Sequence, residues 1–222
     1  SGNTKRMERK RPELVSLSKD LEKALENPRF TDVTLKVGTE QFPAHKVILM
    51  SRSQVFERMF DSDMKENQEN VVDLVDVKES SVKAMLMYMY TGCTDKMTMD
   101  QAIDLYTTSD RYGILGLKEL CKKFISDEIE TETICDVAVL ADLHSDEELG
   151  KAAKCALKKH AKKVFESQKW KDFAKAHPAV YSALLESTVL YVCEELEDPF
   201  NRTGDMFDDD DDGLMSSDSS KY

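Results

Sequence analysis

An α+β architecture, with a small sheet, helices clustered against it and an all-helical extension behind, follows from the order of patterns in this 222-residue chain. Three observations predict it. TDVTLKV alternates strictly, placing Val33, Leu35 and Val37 on one face of a strand. A second short strand at Gln41-Phe42 follows the Gly38-Thr39-Glu40 turn, and a third, VVDL, stands at 71–74. From Val82 onward the apolar residues fall into helical spacing, without the strand–helix alternation of a doubly wound sheet.

Each element has a local cause. Residues 1–12 form a basic leader, SGNTKRMERKRP, with the composition of disorder. Pro12 suits a helical first turn, and Leu14, Leu17, Leu21 and Leu25 then recur by three or four until Asn27-Pro28 ends the helix. Ala44, Val47 and Ile48 share one helical face. After Ser53, an N-cap, Val55, Phe56, Met59 and Phe60 make another. Val82, Met85, Leu86, Met89 and Tyr90 run to a Thr91-Gly92 stop. Helices fit about 99–111, 114–127 and 132–143. Ser145 to Glu148 reads as a capping box opening a helix with the stripe Leu149, Ala152, Ala153, Ala156 and Leu157. The last helices are placed at about 162–175 and 179–195, and residues 196–222 form an acidic tail too poor in apolar residues to fold alone.

Charge excludes several functions. The net charge is −12, and from Glu194 onward eleven acids face only Arg202 and Lys221, so the folded middle is mildly acidic and presents no broad nucleic-acid footprint. No apolar run reaches membrane-spanning length and no signal peptide is visible, which places the chain inside the cell, in nucleus or cytoplasm. The Ser-Gly start, without an initiator Met, leaves room for an upstream segment.

No catalytic or metal chemistry assembles either. The five cysteines (Cys93, Cys121, Cys135, Cys155, Cys193) contain no CxxC pair and read as reduced, largely packed thiols. His45 sits at an apolar helix start, where a hydrogen-bonded structural role outweighs catalysis. His144, His160 and His177 lie far apart, and the five-residue spacing of Cys155 and His160 fits one helix face poorly. No glycine-rich phosphate loop occurs among eight glycines. No cofactor and no enzymatic activity are expected. Met85 and Met89 belong to a core stripe rather than to a Met-rich binding surface. Lys151, Lys154, Lys158, Lys159, Lys162 and Lys163 read first as a solvated face paired with Glu147 and Glu148; attraction of an acidic partner, or of the chain's own acidic tail, stands beside that reading.

FTDVTLKV, FPAHKVILMSRSQVFERMF, MYTG and SDRYGILGLKELC together resemble the BTB/POZ family. ENPRFTD, AHKVIL, ADLHS and the segments around Trp170 and His177-Pro178 are similar to the speckle-type POZ branch, whose members pair an N-terminal MATH domain with the BTB domain; the likeness covers about residues 14–185. The resemblance implies a BTB domain over 13–127 with a dimerisation helix at its start, three-box and BACK-like helices over 128–195, and structural roles for Asp32 and His45. It implies a homodimer through Leu17, Leu21, Ala24 and Ile48, with Ala24 smaller than the family's leucine. Met64 and Glu66 match the family's hydrophobic-x-Glu cullin-binding motif, with Tyr112 flanking it, and the helices at 114–143 match the three-box. Leu185 stands near a second self-association surface. The implied function is that of a non-catalytic adaptor of a cullin-3 RING ubiquitin ligase whose substrate is held by a module upstream of this chain; a dimeric interaction scaffold of the transcription-regulator type, without cullin binding, is the alternative. The family's basic C-terminal nuclear signal is replaced here by an acidic run, and the cluster from Lys5 to Arg11 is the only substitute in view.

Overall fold

The computed structural model describes residues 2–27, 29–61 and 69–197, with side chains from residue 12 to residue 189 within those ranges. In chain order the elements are α1 (Gly2–Glu26), β1 (Val33–Val37), β2 (Glu40–Ala44), α2 (Lys46–Arg52), α3 (Gln54–Asp61), β3 (Val71–Asp73), α4 (Glu79–Thr91), α5 (Met99–Arg111), α6 (Leu115–Asp127), α7 (Ile134–Leu143), α8 (Glu147–Glu166), α9 (Gln168–Ala176) and α10 (Pro178–Glu197). The α+β fold with a helical extension is the one the sequence predicts.

The sheet has the order β2-β1-β3. β1 pairs antiparallel with β2, Val33 facing Ala44 and Val37 facing Glu40, and parallel with β3, Thr34 facing Val71. Gly38, at φ 57°, takes the positive dihedral that a two-residue hairpin requires. Pro43 fits β2 because an edge strand can spare an N–H. The alternating face goes inward as expected: Val33 and Leu35 are buried.

Helices complete the core. Val82, Met85, Leu86, Met89 and Tyr90 of α4 are buried, which settles Met85 and Met89 as packing residues. Gly92 ends that helix in a left-handed turn, its N–H donating to the Tyr88 carbonyl. Ser53 caps α3, its hydroxyl accepting from Phe56 N at 3.1 Å while donating to the Tyr112 carbonyl at 2.5 Å. Thr98 and Gln101 form a reciprocal capping box on α5.

Three boundaries differ from the sequence reading. The helical backbone of α1 begins at Gly2, so the leader expected to be disordered over 1–12 is continuous with the helix, and Pro12 lies inside it. Lysine, arginine, glutamate and methionine all favour helix, and proline there costs one backbone bond. Asp146, not Ser145, caps α8: it is extended at φ −90° and accepts from Glu148 N and Leu149 N, whereas Ser145 is left-handed at φ 50°. The helix placed at 162–175 is divided, because α8 runs on to Glu166 through a non-helical residue, His160 at φ −120°, and Ser167 then caps α9.

A polar junction ties the extension to the sheet-bearing half. The Tyr106 hydroxyl of α5 donates to Asp146 at 2.7 Å, and Lys122 of α6 pairs with Glu148 at 2.7 Å. Asp110 meets His144 Nδ1 at 2.7 Å and Lys118 at 2.6 Å. Burial alone would raise the Asp146 pKa, but the Tyr106 hydroxyl, the Leu149 and Glu148 amides and nearby Lys122 together hold it below the ordinary carboxylate value. A lowered folded-state pKa contributes stability that is complete above the unfolded carboxylate value and is lost as pH falls through the folded one. Asp146→Ala, which removes both cap and clamp, is therefore expected to cost about 1–3 kcal/mol at neutral pH in urea titrations. Its difference from the parent should shrink as the buffer is acidified below the carboxylate range; an unchanged difference would contradict the clamp.

Candidate interaction surfaces

His45 is a fold element. Its Nδ1 lies 2.8 Å from the Tyr90 hydroxyl, its Nε2 lies 3.0 Å from the Arg29 carbonyl, and its backbone N–H donates to the same hydroxyl at 3.0 Å. Asp32 accepts from Lys46 N at 2.7 Å, capping α2 from outside the helix. Cys121 and Cys135 are buried, which pushes their thiols up to about 12 and about 11, so both are protonated and weakly nucleophilic at neutral pH. Cys93 and Cys155 are exposed, so the thiols are less generally packed than expected. Among the described residues no group of three or more His, Cys, Asp or Glu side chains is placed to hold a metal, and no helix is long and apolar enough to cross a membrane.

The first surface is α1. It packs on α4, with Leu21 and Leu25 half-buried and the Ser18 hydroxyl donating to the Thr91 carbonyl at 3.0 Å. Ala24 and, on α2, Ile48 are half-buried too. Leu17 is 55% exposed, beside Leu14 at 59% and Val15 at 55%. The four residues expected at the dimer interface thus divide: Leu21, Ala24 and Ile48 already have partial cover within the chain, and Leu17 has little. Val15 was not singled out from sequence, since it lies off the leucine repeat; Val47, placed there on one apolar face with Ala44 and Ile48, is exposed, while Ala44 is buried and Ile48 half-buried.

The second surface is the α3 end. Met64 and Glu66 lie outside the described residues. Tyr112 is only 5% exposed, its ring stacked 5.2 Å from Phe56 and 8° from parallel. It therefore acts by fixing α3, through that stack and through its carbonyl bond to Ser53, and not as an exposed contact. Beside it, Met50, Arg52, Glu57, Tyr88 and the exposed Leu115 line a recess of about 490 Å³.

The third surface is on α10, where Leu185 is half-buried next to fully packed Leu184. Ala179, Ala183 and Leu184 form one wall of a groove of about 400 Å³, opposite Ala141, Gly150 and Lys154.

The core contacts of His45 give a direct test. His45→Ala removes the side-chain partner of the part-buried Tyr90 hydroxyl and the imidazole bridge to the Arg29 carbonyl, and is expected to cost about 1–2 kcal/mol by thermal or urea unfolding; a variant as stable as the parent would contradict its structural role.

Residues 21–129 match the BTB/POZ domain family. The chain is 35% identical to TD and POZ domain-containing protein 3 of Mus musculus over 82% of this chain and 50% of that protein. It is 36% identical to TD and POZ domain-containing protein 5 of Mus musculus over 73% of this chain and 48% of that protein. The chain thus spans about half the length of the curated relatives it matches. The BTB domain of zebrafish PATZ1 superposes with a TM-score of 0.44 at 23% identity, covering 51% of this chain and 92% of that one. These relatives are named TD and POZ domain-containing, not speckle-type POZ, the branch whose segments the sequence resembles. BTB/POZ domains are commonly protein-interaction modules and commonly homodimerise. The three-stranded sheet, the helices clustered on it and the matched segment agree: this chain carries a BTB/POZ domain over residues 21–129.

Proposed function

We propose that this chain is the dimerising, cullin-3-binding part of a non-catalytic substrate adaptor for a RING ubiquitin ligase, of the speckle-type kind, with the substrate held by a module outside it. The observation that carries the dimer is the uncovered strip of Leu14, Val15 and Leu17, on a helix whose leucine stripe is packed further along at Leu21 and Leu25. Fully burying one leucine contributes about 1.5–3 kcal/mol, so a second copy presenting the same strip would be stabilised by the contact.

The cullin reading rests on Met64 and Glu66, which match the family's hydrophobic-x-Glu motif, and on the position of that segment between α3 and β3. In this reading Met64 is the apolar anchor and Glu66 orients it, while Tyr112 and Ser53 fix the preceding helix, α3. α6 and α7 follow directly and would supply the groove for the cullin's N-terminal extension. Leu185 and α10 would add a weaker self-association surface that lengthens the assembly.

Calorimetric titration of cullin-3 into the full chain tests the proposal. Met64→Asp/Glu66→Ala is expected to weaken binding by at least tenfold, about 1.4 kcal/mol or more, with the dimer intact. Equal affinity of variant and parent would overturn the binding site, and no binding by the parent would favour a dimeric scaffold that does not recruit cullin.

A further inference from the structure

The helical extension holds a charge anomaly that neither dimerisation nor cullin binding uses. Residues 147–176 carry nine lysines against four acids, inside a chain of net charge −12. Some of these lysines are engaged: Lys163 pairs with Glu132 at 3.0 Å, Lys169 with Asp136 at 2.5 Å, and Lys151 lies 3.8 Å from Glu147. Lys159 and Lys162 are exposed, and among the described residues no ion pair joins either to an acid. They flank the His160 kink, where Lys159, His160, Lys162, Lys163 and Glu166 line an open recess of about 300 Å³. Lys159, Lys162 and Lys163 stand at i, i+3 and i+4, so helical spacing gathers them on one face beside the kink. Glu166 also lines the recess and Lys163 is paired with Glu132, so Lys159 and Lys162 are the charges left to repel one another, and an anion bound between them would relieve that repulsion.

The chain carries a matching anion. Asp208 to Asp212 are five consecutive aspartates, preceded by Asp205, Met206 and Phe207. Reach permits the contact. α10 packs on both α8 and α9, and the eleven residues from Asp198 to Asp208 span up to about 35 Å when extended, longer than the roughly 30 Å of α10 itself. Tethering also raises the effective concentration of the aspartates at the recess far above that of a separate acidic peptide. We infer that the Asp208–Asp212 run docks in cis on the α8 recess around Lys159 and Lys162, so that an external polyanion would have to displace it. This inference is independent of the cullin reading.

Zero-length carbodiimide cross-linking of the full chain, as an equal mixture of unlabelled and 15N-labelled copies, tests it. Isopeptide links from Asp208–Asp212 to Lys159 and Lys162 within one isotopic species are expected at about 0.1 M salt. They should fall several-fold at about 1 M, where the screening length drops from about 10 Å to about 3 Å. In Lys159→Glu/Lys162→Glu, with circular dichroism confirming the fold, links from the same aspartates to neighbouring Lys158 and Lys163 should fall several-fold as well. Links absent at low salt, spread evenly over Lys83, Lys96 and Lys123, dominated by mixed-isotope pairs, or unaltered in the variant would each overturn the inference. Loss of the links only when duplex DNA is added supports displacement of a docked tail, whereas DNA binding by a parent that shows no links would assign the face to nucleic acid instead.

Discussion

Helix α1 leans on α4 through Leu21, Leu25 and the Ser18 hydroxyl, and this hold on its C-terminal half leaves Leu14, Val15 and Leu17 of the preceding turns facing water. Single exposed apolar residues are ordinary on protein surfaces. Three within one helical turn, on an element that a short isolated peptide could not sustain, are a different matter. In the proposed dimer the same strip on a second copy covers them, and a twofold axis makes one patch serve both subunits. The packed C-terminal half of α1 fixes the strip's position, so the register of any such contact is set by how α1 seats on α4.

The polar junction between α5–α6 and α7–α8 decides whether the extension moves as part of the BTB domain. Tyr106, buried and hydrogen-bonded to Asp146, has its pKa raised first by that burial and then by the carboxylate, so its hydroxyl stays a donor throughout the physiological range. Asp146 uses the same carboxylate to cap α8. One side chain thus starts a helix and fastens it to the preceding domain. Surfaces at α3 and on α8–α10 are consequently held in a defined geometry relative to α1.

Much of this was legible in the sequence where local chemistry and burial agree. Val33 and Leu35, Ser53 as a cap, Gly92 as a stop, the α4 stripe and the structural character of His45 all follow from period, cap codes and the cost of an unpaired polar group. Failures came where a distant partner decides. Ser145 and Asp146 both satisfy a capping code, and Tyr106, forty positions away, selects the aspartate. Tyr112 sits at a helix end, a place that reads as surface, but stacking on Phe56 buries it. The His160 break has no proline or glycine to announce it. Of the interface residues, sequence periodicity identified the stripe of α1 but not which of its leucines α4 would cover.

Sedimentation equilibrium on the full chain, beside a Leu14→Asp/Leu17→Asp variant, tests the self-association claim most directly. Both substitutions fall on exposed positions, so the variant should fold with parental circular dichroism. The account predicts at least twice the 25.3 kDa chain mass for the parent and a shift toward the 25.3 kDa protomer for the variant. A parent that sediments as a protomer, or a variant that retains the parent's mass, would contradict it.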